Sequence, residues 1–71
     1  MVKATKVTNN IRALRAAAGD MTQADLADRI GVTRQTVIAI EQGRYSPSLE
    51  VAFQIAREFD VPLDDVFHYG G

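Results

Sequence analysis

Three glycines, Gly19, Gly31 and Gly43, each close a run in which apolar residues recur at helical spacing, and each is followed within a few residues by a threonine or serine. Glycine adopts the left-handed conformation that ends a helix without steric cost, and a hydroxyl at the next N-cap accepts a bond from an otherwise orphaned amide. This punctuation restricts the chain to short helices. Thr8 is placed to cap a first helix through Asn9, Asn10 and Ile11 to Ala18, with Ile11, Leu14 and Ala17 or Ala18 facing inward. Thr22 opens a second, Gln23 to Ile30, with Asp25 as a short capping-box acid, Met21 stapled onto Leu26, and Leu26, Ala27 and Ile30 inward. Thr33 opens a third, Arg34 to Gln42, whose core positions are Val37 and Ile40. Ser48, or Ser46 with Pro47 at the first helical position, opens a fourth through Phe59, with Leu49, Ala52, Phe53, Ala56 and Phe59 as its expected buried stripe. Pro62 restarts a last turn, Leu63 to Phe67, with Asp64 and Asp65 near its positive end. No segment alternates with period two, and no repeat or linker divides the chain. The expectation is one all-α domain over residues 1–71, a bundle of five short helices with flexible ends at 1–7 and 68–71.

At 71 residues there is room for one core and none for a separate effector pocket, so no small-molecule site is evident. The chain has no cysteine, which leaves neither a disulfide nor a thiolate metal site to hold the fold, and apolar packing must do so. No cofactor and no metal are expected. Residues 1 to 10 lack the apolar run of a signal peptide, and no stretch approaches the roughly 20 apolar residues of a membrane span, which points to the cytoplasm and away from membranes. The net charge of −1 hides an uneven distribution. Residues 1–44 carry seven basic groups, Lys3 among them, against four acidic, and residues 45–71 carry one basic group against five acidic. A polyanion would be met by the first part, with the acidic end turned away.

The second and third helices, joined by a short turn containing Gly31, have the layout of a helix-turn-helix. Any small bundle contains such a pair, so the outer face of the third helix carries the weight. It offers Thr33, Arg34, Gln35, Ile38 and Ala39 rather than a mixture of glutamates and lysines. A guanidinium fork suits guanine, an amide suits adenine, and apolar groups suit a thymine methyl. Ile38, outward beside the filled core positions Val37 and Ile40, fits a DNA contact, a dimer contact or an ordinary exposed apolar residue.

The joint spacing of Met21-Thr22-Gln23-Ala24-Asp25-Leu26-Ala27, Ile30-Gly31-Val32-Thr33-Arg34-Gln35-Thr36-Val37, Ala39-Ile40-Glu41-Gln42-Gly43-Arg44-Tyr45 and Pro47-Ser48-Leu49 resembles the Cro/CI-type, or Xre, repressor family, in particular its small single-domain bacterial regulators. The likeness continues through Phe53-Gln54-Ile55-Ala56, Phe59 and Asp65-Val66-Phe67. It implies a lambda-repressor-like five-helix domain with the third helix in the major groove of duplex DNA. It also implies roles: Thr22 and Gln23 at the start of helix two on a phosphate, with Gln23 bracing Gln35 or Arg34; Thr33, Arg34, Gln35, Ile38 and Ala39 on base edges; Thr36 and Arg44 on flanking phosphates. Arg15 would form the family's structural ion pair with Glu41. The turn Gly19-Asp20-Met21-Thr22 is one residue longer than the common pattern, and a shifted first helix would let Arg12 replace Arg15.

Catalysis finds no support: His68 is the one histidine and lies in the expected tail, and Asp64 and Asp65, adjacent on a helix, diverge. The remaining rival is a protein-interaction module, antitoxin-like or regulatory, that uses the same fold without base reading. A single small domain contacts half an operator, so a homodimer reading half-sites roughly 34 Å apart is expected, with repression following from occupancy. Its candidate surface is the corner Val61-Pro62-Leu63 with Val66, Phe67 and Tyr69, Phe67 alternatively closing the core.

Overall fold

The computed structural model describes residues 6–70, and runs β1 (Val7–Asn9), α1 (Ile11–Ala17), α2 (Gln23–Ile30), α3 (Arg34–Glu41), α4 (Leu49–Glu58), α5 (Leu63–Val66) and β2 (Phe67–Tyr69). Five helices form close to where the sequence pattern places them, three of them with the expected caps. Thr22, Thr33 and Ser48 all cap as expected, accepting from the amides of Asp25, Thr36 and Val51 respectively. At the end of α2, Gly31 takes a left-handed φ of 74°, a conformation in which a side chain is strained.

The core is a single cluster, to which α2 gives Leu26, Ala27 and Ile30, α3 Val37 and Ile40, α4 Ile55 and Ala56, with Ile11 of α1 and Val66 of α5 closing it. Hydrophobic burial of this kind contributes roughly 1.5–3 kcal/mol per large side chain, and a chain without cysteine has no disulfide to add to it.

The ends differ from the expectation. Residues 1–5, including Lys3, and Gly71 lie outside the described residues. The rest of the two ends is not frayed: β1 and β2 pair antiparallel, with Val7 opposite Tyr69, Thr8 opposite His68 and Asn9 opposite Phe67. Thr8 is therefore a strand residue rather than the cap of α1, and Asn10 occupies that position without a side-chain cap bond. A pair of asparagines ties this end to distant backbone as well as to the helix start. Asn9 donates Nδ2 to the Ile40 carbonyl at 2.9 Å and accepts from the Ile11 amide at 3.1 Å, while Asn10 donates its amide to the Val66 carbonyl at 2.9 Å and its Nδ2 to the Asp65 carbonyl at 3.2 Å. Strands of three residues are too short to show a periodic signal, and a pair of them is stable only against a core.

Two helix faces also depart from the expected pattern. Ala17 and Ala18 are exposed. On α4 the buried residues are Ala52, Ile55 and Ala56, whereas Leu49 is 67% and Phe53 50% exposed. Val66, a candidate dimer contact, is fully buried and belongs to the core. Leu63, Val61 and Phe67 pack half-buried against that core, and of the expected dimer residues Pro62 and Tyr69 alone are exposed.

Candidate nucleic-acid interface

The turn between α2 and α3 is fixed by backbone bonds before any side chain acts: the Val32 amide reaches back to the Ala27 carbonyl at 3.0 Å, and Thr33 starts the next helix at once. Thr33 accepts from the Thr36 amide at 3.1 Å, and the two hydroxyls lie 3.0 Å apart. Val37 and Ile40 anchor the inner side of α3. Helical geometry then turns Thr33, Arg34 and Gln35 outward, and all three are exposed. Ile38 and Ala39 are half-buried, as is Thr36, so the apolar part of this face is set back beside the polar part.

Arg15 of α1 ties this unit to the rest of the fold. Its Nε donates to Glu41 Oε2 at 2.7 Å and its Nη2 to Oε1 at 3.0 Å, a bidentate pair, while Nη1 donates to the Met21 carbonyl at 2.8 Å. The two side chains are 15% and 9% exposed, so the pair sits under little solvent screening. Arg15 takes the place beside Glu41 in spite of the longer turn, and Arg12 is left exposed. Gln23 is half-buried and donates Nε2 to Glu41 Oε1 at 3.3 Å, so it braces the ion pair rather than Gln35 or Arg34. The last turn of α3, the start of α2 and the middle of α1 thus meet at one carboxylate.

An open groove runs beside this junction, lined among others by Asn10, Arg12, Thr22, Gln23, Arg34 and Gln42. Gln42 belongs to it although sequence reasoning gave it no role, and Arg12 although it was considered only as a stand-in for Arg15. For Arg12 the signal was present: with Arg15 turned to Glu41, an arginine three positions earlier on the same helix faces the same side. At the far end of α3, Arg44 is exposed and donates Nη1 to Gln42 Oε1 at 3.1 Å. Thr22, also exposed, is half of a reciprocal capping box: its hydroxyl accepts from the Asp25 amide at 2.9 Å, and its own amide donates to Asp25 Oδ2 at 3.2 Å. The Thr22 amide first, and its nearby hydroxyl second, hold the Asp25 carboxyl below its ordinary pKa.

A preformed helix pair whose outer helix presents an arginine and an amide, with further arginines at either side, defines a helix-turn-helix protein built to meet a polyanion. The sequence model of the helix-turn-helix family matches residues 11–66, and the chain belongs to that family, in its Xre, or Cro/CI, type. It is 56% identical over 50 residues to an uncharacterized HTH-type transcriptional regulator, MJ0272, of Methanocaldococcus jannaschii, covering 70% of this chain and 76% of that one. It is 48% identical over 59 residues to the uncharacterized HTH-type transcriptional regulator YgzD of Bacillus subtilis, covering 83% and 88%. A more distant relative, 36% identical over 59 residues, is the transcriptional repressor RstR of the cryptic phage CTXphi from Vibrio cholerae, of whose length the match spans 52%. The fold matches a crystal structure from Bacteroides fragilis with a TM-score of 0.75 at 21% identity, covering 87% of this chain and 98% of the other. No helix among the described residues is long and apolar enough to cross a membrane.

Proposed function

We propose that this chain is a sequence-specific regulator of transcription that binds duplex DNA as a homodimer in the cytoplasm and represses by occupying its operator. The observation that carries the reading is the outer face of α3, where Thr33, Arg34 and Gln35 stand exposed on a helix fixed by its own cap and by the bidentate pair between Arg15 and Glu41. In the major groove Arg34 offers a fork to guanine O6 and N7, Gln35 an amide to adenine, and the half-buried Ile38 and Ala39 apolar surface to a thymine methyl.

The phosphates flanking the groove are met by groups that carry no sequence information. The amides of Gln23 and Ala24 at the start of α2 have no carbonyl to reach within their helix, and with the Thr22 hydroxyl and the second Nε2 hydrogen of Gln23 they suit one phosphate. Thr36 and Arg44 take another at the opposite edge, and Arg12 adds a cation along the groove. The names of the relatives, regulators and one phage repressor, support the same reading.

Selection of bound duplexes from a random pool, followed by a salt titration on the selected site, tests it. The expected result is a two-fold symmetric site with half-sites roughly 34 Å apart, and a log–log salt slope of several units. Failure to retain any duplex at low salt would leave the protein-interaction alternative.

A further inference from the structure

Three of the four large apolar side chains that stand exposed among the described residues, Tyr45, Leu49 and Phe53, fall within one stretch at the start of α4, at 50%, 67% and 50% exposure. Leu49, Phe53 and Arg57 follow one another at intervals of four, so they form one stripe along α4, and Glu50 lies beside it. Glu50 and Arg57 are both exposed, and neither has an ion-pair partner among the described residues. Glu50 stands three positions before Phe53 and Arg57 four positions after it.

We propose that this stripe is the two-fold contact of the homodimer, with α4 packing antiparallel on α4 of a second copy about an axis through Phe53. The proposal rests on the homodimer reading given above and assigns its surface. Under such an axis Phe53 meets its own counterpart, and Glu50 of each copy meets Arg57 of the other, so a single helix face supplies both halves of two ion pairs. That self-complementarity selects a second copy over an unrelated protein. DNA is not the occupant proposed, because Glu50 lies beside the stripe and residues 45–71 carry five acidic groups against one basic. The ends fit as well: Tyr45 and Leu49 of one copy reach toward the corner after α4 of the other, where Val61 is half-buried and Pro62 exposed. None of the residues assigned to base reading belongs to the stripe.

Sedimentation of the full chain, with helical content followed by circular dichroism, tests the contact. Phe53→Glu acts on both copies at the axis and is expected to raise the dimer dissociation constant about 100-fold with helicity unchanged. Glu50→Arg and Arg57→Glu each weaken the dimer about tenfold, and the two together restore it to near the unaltered value. The absence of cysteine allows a sharper probe. Helices packed about 8–10 Å apart bring facing Cα atoms to about 4–6 Å, within disulfide reach. Phe53→Cys therefore forms a covalent dimer under mild oxidation far faster than Asp28→Cys, on the exposed side of α2. A dimer that persists in Phe53→Glu, or a Phe53→Cys chain that cross-links no faster than the Asp28→Cys control, overturns the α4 contact and leaves the homodimer reading standing. A chain that is monomeric both in solution and on the full operator overturns both. The DNA reading is separately scored, since Phe53→Glu retains its base preference on a duplex carrying one half-site.

Discussion

The outer faces of α3 and α4 both carry apolar residues, and they are built for different solvents. On α3 the projecting side chains are Thr33, Arg34 and Gln35, with Ile38 and Ala39 set back and half-buried among them. On α4 the apolar groups themselves project, Leu49 and Phe53 at half exposure or more, and the charges beside them include acids. A polar rim with recessed apolar groups suits the wet, charged surface of a nucleic acid, whereas a projecting aromatic flanked by opposite charges suits the dry centre of a protein contact. What separates the two faces is which side chains are exposed, polar ones on α3 and apolar ones on α4.

The largest expected effect tests whether the α3 face is held from behind. Arg15→Ala leaves Glu41, 9% exposed, without its cation and the Met21 carbonyl without its donor. Chemical denaturation is expected to show a loss of about 2–4 kcal/mol, and a loss under 1 kcal/mol would reduce the pair to an ordinary surface contact. Next in size is Arg34→Ala, expected to cost about 1–3 kcal/mol on the selected site and to relax preference at one base position. Unchanged preference would show that α3 does not read through this residue. Arg12→Ala and Arg44→Ala are expected to weaken binding evenly across sequences, each lowering the salt slope on the two-fold site by about two, one for each copy. If either altered base preference, the division between the centre of α3 and its flanks would fail.

The five helices were legible because their boundaries are local. Thr22, Thr33 and Ser48 cap, and Gly31 closes, through bonds to residues within four or five positions, and such chemistry is written in the adjacent sequence. The placement of Arg15 beside Glu41 came instead from family resemblance, since 26 residues separate them and their spacing carries no signal. The terminal strands were not legible for the same reason. Asn9 and Asn10 look like a helix start until Ile40, Asp65 and Val66 supply carbonyls from far along the chain. On α4 the failure is one of phase. Apolar residues from Val51 round to Phe53 span about 200° of the helix at 100° per residue, twice the arc one core needs, and period alone cannot say which half faces inward. Packing on α2 and α5 chose Ala52, Ile55 and Ala56. The surplus arc was itself the sign of a second surface.

The smallest effect sharpens the comparison at the start of α2. The capping box between Thr22 and Asp25 fixes the helix end that is assigned to a phosphate, and no equivalent reciprocal pair forms at Ser48 on α4. Asp25 has a carboxyl held below its ordinary pKa by the Thr22 amide and hydroxyl. A carboxylate with a depressed folded-state pKa contributes stability that is complete above its unfolded value and disappears as the pH falls through the folded one. The contribution is therefore intact at neutral pH and fades below about pH 4. Asp25→Asn removes the charge at every pH, so the stability difference between it and the unaltered chain, followed by thermal melting from pH 7 downward, is expected to close in that window. Thr22→Ala removes the hydroxyl half of the box and is expected to cost about 1 kcal/mol at neutral pH. A difference between Asp25→Asn and the parent that stays constant to pH 2.5 (~1.5 units below the ordinary aspartate value) would mean that the carboxylate bond contributes nothing to α2, and that the phosphate-facing end of the helix is held by the Thr22 hydroxyl alone.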